Sequence, residues 1–396
     1  MKIKGFSKDV KDGLSVVLDI GSGSVGGAFV IFSENEKPRI MFNVRKPIIF
    51  QKDFKFERFL FSMLKAIEEV LEELSKTKLG KPRQVFCILA APWYVSETRS
   101  VVFEDEQAFT VTQKKVEDLI LNEVNILKES FNVQYKDITD SKAEIIEVEN
   151  INMKLNGYET NAPYGKKVKK IEAHLYISIS AGQVLQEIRQ KISKILGLNN
   201  VVFNSFSLSA FDTIRNLYSE QEDFMFVDIG GEMTDVSVVR DGILVETESF
   251  PFGKNFLLRM ISSELKTVND EALSSFSLYM EEKTTDANKI KIKAALSRVE
   301  EEWSEVLCKT LKSMSANVTL PGFIFTISDI PFGPWFSEVI KNKWSGKVLF
   351  MGETIKTTVI NPLVLSKFVI FNPKVDKDAF IVTEVLFVDN LLKSKI

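Results

Sequence analysis

The alternation of apolar and polar residues predicts a strand-rich beginning followed by one long helix. Apolar runs over 14–20 and 26–32 have the length of buried strands, and residues 39–44 predict a third strand after a polar turn. From 56 to 75, apolar residues recur at helical spacing with glutamates on the opposite side. A Gly-Lys-Pro sequence at 80–82 ends that helix.

The next segment has a different pattern, which predicts a separate small unit. Strand patterns at 84–90 and 97–103 precede a helical pattern over 112–127, and further strand patterns lie at 143–155 and 170–180. In the last of these, apolar and polar residues alternate strictly, as in a strand with one buried face. This β-α-β-β order predicts an inserted domain.

The second half returns to the strand-and-hairpin pattern. A strand at 223–228 is followed by strands at 235–240 and 243–250, which meet at Asp241-Gly242, a sequence that favours a type I′ turn. Helices are predicted at 181–196, 255–265 and 287–313, short strands at 323–326, 347–351 and 368–371, and a helical tail over 380–395.

Two copies of one short phrase carry the candidate chemistry. Asp19-Ile20-Gly21 and Asp228-Ile229-Gly230 each end an apolar strand, continue in small residues and lead into a second apolar strand. Glycine lets backbone N–H groups approach an anion closely, and a carboxylate beside such a loop can hold the hydrated magnesium of a nucleotide. Two facing loops of this kind predict a site that grips a phosphate chain from both sides.

Two other interpretations of these phrases are open. Residues 21–26, Gly-Ser-Gly-Ser-Val-Gly, also match the dinucleotide fingerprint, but that motif needs a helix after the glycines, and a strand pattern follows here. A plain β-turn with a surface aspartate would explain either phrase alone. Because both copies stand in the same strand–loop–strand context, we favour a duplicated nucleotide-binding core over a Rossmann domain.

Composition narrows the class of protein. A length of 396 residues predicts two or more domains, and 45% apolar with 27% charged residues is ordinary for a globular protein. A net charge of −3 argues against a nucleic-acid binder. Cys87 and Cys308 form neither a metal motif nor a disulfide framework, which fits a reducing cytoplasm. No apolar stretch is long enough to predict a transmembrane helix.

The two phrases resemble the phosphate-1 and phosphate-2 motifs of the superfamily of actin, Hsp70 and hexokinase. The superfamily's phosphate-2 sequence, D-I-G-G-G-T-T-D, has its counterpart here in Asp228-Ile229-Gly230-Gly231-Glu232-Met233-Thr234-Asp235. Within the superfamily, the chain is most similar to the FtsA-type division proteins, which carry an inserted 1C (SHS2) domain after the first helix. The PilM-type pilus-assembly ATPases are next.

This resemblance implies an α/β fold, with a duplicated actin-like ATPase core of ribonuclease H-like halves and an inserted α+β SHS2/1C domain. Subdomain 1A would comprise 1–82 and 181–222, and the inserted domain 83–180. Residues 223–396 would form subdomains 2A and 2B with a C-terminal closing segment.

The resemblance also implies ATP and Mg²⁺ as cofactors. Asp19 and Asp228 would hold the magnesium through its waters. The phosphate contacts would come from Gly21, Ser22, Gly23 and Ser24 on one side and from Gly230, Gly231 and Thr234 on the other. No residue is identified as a catalytic base, so the catalytic residues are unknown and the protein is at most a slow ATPase.

Three departures from the family pattern predict weakened nucleotide binding. Glu232 replaces a phosphate-2 glycine, and Gly253-Lys254 stands where the family has Gly-Gly. The adenosine motif is reduced to residues 325–329, without its glycines. Lys254 could offset anionic charge, although we favour an ordinary surface lysine.

The expected function is a nucleotide-binding cytoskeletal scaffold of the FtsA type. It would self-associate or polymerise, and it would link a division polymer of the tubulin-like class or a membrane complex. The alternatives are a PilM-like pilus-assembly component that binds a pilus membrane protein, a pseudo-ATPase interaction protein and, less favoured, a small-molecule kinase. The expected location is the cytoplasm, or the inner face of the cell membrane through a partner. We expect the tail to be a closing core element, because it has too few basic residues for a membrane-binding helix.

Overall fold

The computed structural model describes residues 13–49, 55–134, 141–344 and 355–394, so the predicted strand at 347–351 lies outside the described residues. Six strands form the sheet of the first lobe. In spatial order they are β15 (Ile370–Phe371), β3 (Arg39–Pro47), β2 (Ser24–Ile31), β1 (Leu14–Ile20), β4 (Val85–Leu89) and β9 (Val201–Ser205). β1 to β3 run antiparallel as predicted, whereas β4 and β9 extend the sheet in parallel.

Helices cover both faces of this sheet. They are α1 (Phe56–Lys76) and α3 (Gly182–Leu196) on one face, and α4 (Phe206–Leu217) and α10 (Ala379–Lys393) on the other. Because side chains alternate along a strand, β1 contributes to two cores. Val16 and Leu18 pack with α1 and α3, while Val17 packs with α4 and α10. Gly197 ends α3 in the left-handed conformation at φ 64°.

The inserted unit has the β-α-β-β order that the sequence predicts, with one short strand added. Its elements are β5 (Val95–Thr110), α2 (Gln113–Gln134), β6 (Ala143–Leu155), β7 (Tyr158–Glu159) and β8 (Lys167–Ala181), and the sheet order is β5-β8-β6-β7. One boundary is corrected. Residues 84–90 were predicted in this unit, but β4 pairs in parallel with β1 and so belongs to the first lobe.

The second lobe repeats the design of the first. Its sheet order is β12 (Ile243–Phe250), β11 (Thr234–Arg240), β10 (Phe224–Ile229), β13 (Phe323–Ile327) and β14 (Lys356–Ile360). Its helices are α5 (Lys254–Leu265), α6 (Asn269–Met280), α7 (Asp286–Ser315), α8 (Phe332–Trp344) and α9 (Pro362–Leu365). Asp241 and Gly242 have φ values of 51° and 69°, as the predicted type I′ turn requires.

The tail is a core helix, as expected. α10 packs against α4 and β1, and its residues Val382, Val385 and Val388 have no exposed surface. It therefore returns from the second lobe to the first, and with β15 it joins the two halves of the chain. Within the described part of the chain, no helix combines the length and hydropathy needed to cross a bilayer.

Candidate functional site in the cleft between the two glycine loops

The two predicted aspartates lie in one cleft between the lobes. Asp19 is the last residue but one of β1, and Asp228 holds the same place in β10. Each is 3% exposed, and both line the same cavity. Of the nine predicted site residues, Thr234 alone is missing from the cleft lining. Its hydroxyl donates to the Phe252 carbonyl oxygen at 2.6 Å and is turned into the second lobe.

The two glycine loops are in direct contact. A Cβ atom on Gly23 would stand 2.7 Å from the Gly231 Cα, and a Cβ on Gly231 would come still closer to Gly23. The Glu232 backbone N–H donates to the Ser22 hydroxyl oxygen at 2.9 Å, which joins the loops across the cleft. The backbone N–H of Gly21 donates within its own turn, so it is not directed at the cavity.

Arg45 occupies the first side of the cleft. Its Nη2 donates to Asp19 Oδ2 at 2.6 Å, its Nη1 to Ser24 Oγ at 2.9 Å and its Nε to Asp378 Oδ2 at 2.7 Å. The Phe380 ring lies 5.6 Å from the guanidinium carbon. Each guanidinium nitrogen thus has an acceptor from the chain itself.

The sheet register explains how Arg45 reaches Asp19. Asp19 pairs with Gly26 on β2, and Gly26 pairs with Arg45 on β3, so the three residues form one row across the sheet. A Cβ on Gly26 would stand 2.8 Å from Arg45 Nη2. Because glycine has no side chain, the guanidinium can lie over β2 and bond the aspartate beyond it.

Helix α10 adds two carboxyl groups to this side. Asp378 caps the helix by accepting from the N–H groups of Phe380 and Ile381. Burial alone would raise the pKa of Asp378, but the charge of Arg45 and these hydrogen bonds hold it below its ordinary value. Burial and the charge of Asp19 raise the pKa of Glu384 well above its usual range.

On the second side of the cleft lies Asp228, and one of its carboxylate oxygens, Oδ1, has no hydrogen-bond partner among the described residues. Burial, followed by the charges of Asp235 and Asp19, raises the pKa of Asp228 well above its ordinary value. Lys254 forms an ion pair with Asp329, and burial with the charge of Arg45 lowers the pKa of Lys254 to about 8.

Sequence reasoning misplaced or missed several of these groups. Lys254 was expected at the surface, yet its side chain is 15% exposed inside the cleft, because the loop after β13 folds over it. Arg45, Asp378 and Glu384 were not identified. The signal for Arg45 is the glycine that stands between it and Asp19 in the β1–β2–β3 register, which requires strand pairing to be known. Glu232 points away from the cavity toward Arg259 and Asn255.

The site fits the charge of a cation but has no room for a nucleotide. The cavity between the loops is about 30 Å³, whereas ordinary small-molecule sites are on the order of 300 Å³ or more. No three acidic, histidine or cysteine side chains converge as metal ligands within the described ranges. Residues 325–329, which are the end of β13 and the start of the loop after it, are held against β10, where Ser328 Oγ donates to the Ile229 carbonyl oxygen at 2.9 Å. ATP with Mg²⁺ therefore does not fit the cleft in this conformation.

Comparison with solved structures identifies the fold. The chain is similar to a chain of the PilM–PilN type IV pilus biogenesis complex, with 14% identity, coverage of 96% of this chain and 98% of that chain, and a TM-score of 0.58. It is also similar to the ethanolamine utilization protein EutJ from Carboxydothermus hydrogenoformans (13% identity, 95% and 89% coverage, TM-score 0.44) and to the MamK double helical filament (7% identity, 95% and 98% coverage, TM-score 0.46). No protein-family model matches the sequence, and no curated protein matches it. The predicted fold class is confirmed: the protein has the actin-like ATPase fold, with α/β halves and an inserted domain.

Proposed function

We propose that this protein is an actin-like scaffold of the PilM type, which acts by binding an extended segment of a partner protein beside the cleft. The observation that carries the proposal is a groove of about 550 Å³ between the two lobes and the inserted domain. That volume lies within the ordinary range for binding sites. The cleft between the glycine loops is far smaller, so the groove is the better candidate for a binding function.

The walls of the groove are apolar and its rim is polar. The walls include Phe56, Trp93, Phe131 and Val184, and the rim includes Glu97, Gln134, Glu248 and Ser249. Trp93 stacks on Phe59 with ring centroids 4.7 Å apart, and its Nε1 donates to the Gly21 carbonyl oxygen at 2.8 Å. Rigid aromatic walls with a polar rim are typical of sites where a few buried anchors supply most of the binding energy.

Two sheet edges border the groove, which favours an extended partner. β5 is the edge strand of the inserted sheet, and β12 is the edge strand of the second lobe. Residues 95–97 of β5 and 247–249 of β12 both line the cavity. An edge strand offers backbone N–H and C=O groups to an added strand, and neighbouring pockets then select its side chains. We propose a short segment of a pilus membrane protein as the partner, since the chain is similar in fold to a chain of a PilM–PilN complex.

A peptide-binding measurement tests the proposal. Fluorescein-labelled peptides covering the segments that the source organism's PilN-like protein exposes to the cytoplasm are titrated with the protein, and anisotropy is recorded. We expect one peptide to bind saturably. Phe56→Ala should weaken that binding about 10-fold or more, because loss of a buried aromatic anchor costs on the order of 2 kcal/mol.

Phe61→Ala is the matched control. Phe61 lies on the same helix, but its side chain is 69% exposed and is not part of the groove. Its affinity for the peptide should equal that of the wild type. Equal affinities for Phe56→Ala and wild type, or no binding of any peptide, would exclude the groove as the partner site.

The FtsA-type division scaffold remains the second candidate, because the inserted domain has the β-α-β-β order expected for it. That function predicts filaments and association with a tubulin-like polymer. Sedimentation with and without ATP and lipid vesicles separates the two candidates. Pelleting that depends on ATP or lipid would favour the division scaffold, and a monomer under every condition would favour the PilM-type scaffold.

A further inference from the structure

We propose that the cleft is closed by cations of the chain itself. Arg45 and Lys254 line the cavity beside the acidic groups where a magnesium nucleotide would bind, and they balance the charge of those groups without any nucleotide. Asp19, which the sequence assigns to nucleotide binding, would then be the internal counter-ion of Arg45. This inference goes beyond the scaffold function and does not depend on it.

Groups from three parts of the chain bind the Arg45 guanidinium. Guanidinium is a planar fork with five N–H donors, and it suits carboxylates that approach from different directions. Here it joins β1 through Asp19, the first glycine loop through Ser24, and α10 through Asp378. Phe380 lies within cation–π distance of the guanidinium.

Gly26 supports the same conclusion independently. It is the residue between Asp19 and Arg45 in the sheet, and any side chain there would collide with the guanidinium. A Cβ would also stand 3.1 Å from the Ile381 methyl group of α10. The backbone of β2 is thus shaped around the arginine, and Arg45 has a dedicated place in the fold.

Lys254 closes the opposite side. It begins α5, its backbone N–H donates to the Gly230 carbonyl oxygen at 2.9 Å, and its ammonium group pairs with Asp329. Asp329 lies in the loop that corresponds to the reduced adenosine motif. The ion pair therefore spans the space between the second glycine loop and that motif.

The inference predicts that the loops are protected without nucleotide. Amide hydrogen exchange of the segments 19–25 and 228–234 should be slow in the nucleotide-free wild type. Addition of about 1 mM Mg-ATP, a concentration high enough to fill an ordinary nucleotide site, should leave the exchange rates unchanged within about twofold. Calorimetric titration of the wild type with Mg-ATP should show no saturable heat. Saturable binding below about 1 mM, with slower exchange of both loops, would overturn the inference.

A variant pair tests the role of the arginine. Arg45→Met should speed exchange of the segment 19–25 at least about 10-fold, because Asp19, Ser24 and Asp378 lose their partner. Added Mg²⁺ should slow the exchange again in this variant and leave the wild type unchanged. Arg39→Met, on an exposed position of the same strand, should behave like the wild type. Wild-type exchange rates in Arg45→Met would contradict the inference, and if that variant fails to fold, the wild-type titration decides alone.

Discussion

Glu147→Ala is expected to lower the free energy of unfolding by about 3 kcal/mol, measured by urea denaturation at pH 6. Glu147 lies on β6 of the inserted domain and is 3% exposed. It accepts hydrogen bonds from Ser178 Oγ at 3.0 Å, from Asn204 Nδ2 at 2.7 Å, and from both the backbone N–H and the hydroxyl of Ser205. Removing the carboxyl group leaves buried donors without acceptors, and each such donor costs about 1–3 kcal/mol.

Glu147 lies where the inserted domain meets the first lobe, so its removal should also weaken the contact between these two domains. Ser178 belongs to the inserted domain, whereas Asn204 and Ser205 end β9 in the first lobe. Ser205 is also the N-cap residue of α4, and its hydroxyl bonds Tyr176 at 2.8 Å. One carboxyl group thus connects the inserted sheet, the first-lobe sheet and the start of α4. Hydrogen exchange of β6 and β8 should rise together in Glu147→Ala.

The same residue predicts a pH dependence. Burial raises the pKa of Glu147 to about 7. The hydrogen bonds to the carboxylate favour its ionised form and lower the pKa, but burial has the larger effect. The unfolded chain releases this proton near the ordinary pKa of 4.5. The folded state therefore holds the proton more tightly than the unfolded chain. The resulting gain in the free energy of unfolding is complete below pH 4.5 and is lost as the pH rises to about 7. Over that window the gain is about 3 kcal/mol.

Glu147→Gln isolates the effect. The amide has the shape of the carboxyl group and does not titrate, so its stability relative to the wild type should rise as the pH increases from 5 to 7.5. Glu106→Gln replaces an exposed carboxylate of β5 and should follow the wild type at every pH. A constant difference between Glu147→Gln and wild type across this range would show that Glu147 does not titrate there.

Gly231→Ala is expected to force the two glycine loops apart. The added methyl group would overlap the Gly23 Cα and nitrogen and the Ser22 carbonyl carbon, all of which are backbone atoms. Backbone in a closed cleft cannot move aside as a flexible side chain can, so we expect a cost of about 3 kcal/mol in the free energy of unfolding. Amide exchange at 19–25 should accelerate in parallel, because the Glu232 N–H to Ser22 bond is lost.

Gly333→Ala is the comparison for this substitution. Gly333 lies in α8, where a Cβ would meet a Val359 methyl group at 3.2 Å and no backbone atom closer than 3.6 Å. Alanine is also the better helix former, so its stability should lie within about 1 kcal/mol of the wild type. If Gly231→Ala and Gly333→Ala unfold alike, the loops are not in the close contact that defines the cleft.

Patterns along the chain were sufficient to predict most elements. The strand–loop–strand repeats, the β-α-β-β order and the turn at Asp241-Gly242 follow from local periodicity and backbone preference, which a sequence carries within a few residues. The strand at 84–90 was also found. Its sheet was wrongly assigned, because a short buried strand carries no local sign of which neighbour it pairs with.

Side-chain surroundings could not be obtained in the same way. The alternation over 170–180 predicted one buried face, but Tyr176 and Ser178 on the opposite face are also fully buried, because β8 continues beneath the first lobe. Lys254 was judged a surface residue for the same reason. Exposure depends on which distant segment covers a residue, and no window of sequence contains that segment.

The sequence by itself determined that two acidic glycine loops would come from two similar halves, since each loop is specified by its own strand and turn residues. Only the tertiary structure decided what those loops face. Arg45 lies 26 positions from Asp19, and Asp378 lies 333 positions from Arg45. They meet because β2 has glycine at the intervening position and because α10 returns to the first lobe. A buried charge binds the counter-ion that the fold brings nearest, and that neighbour is a property of three-dimensional packing.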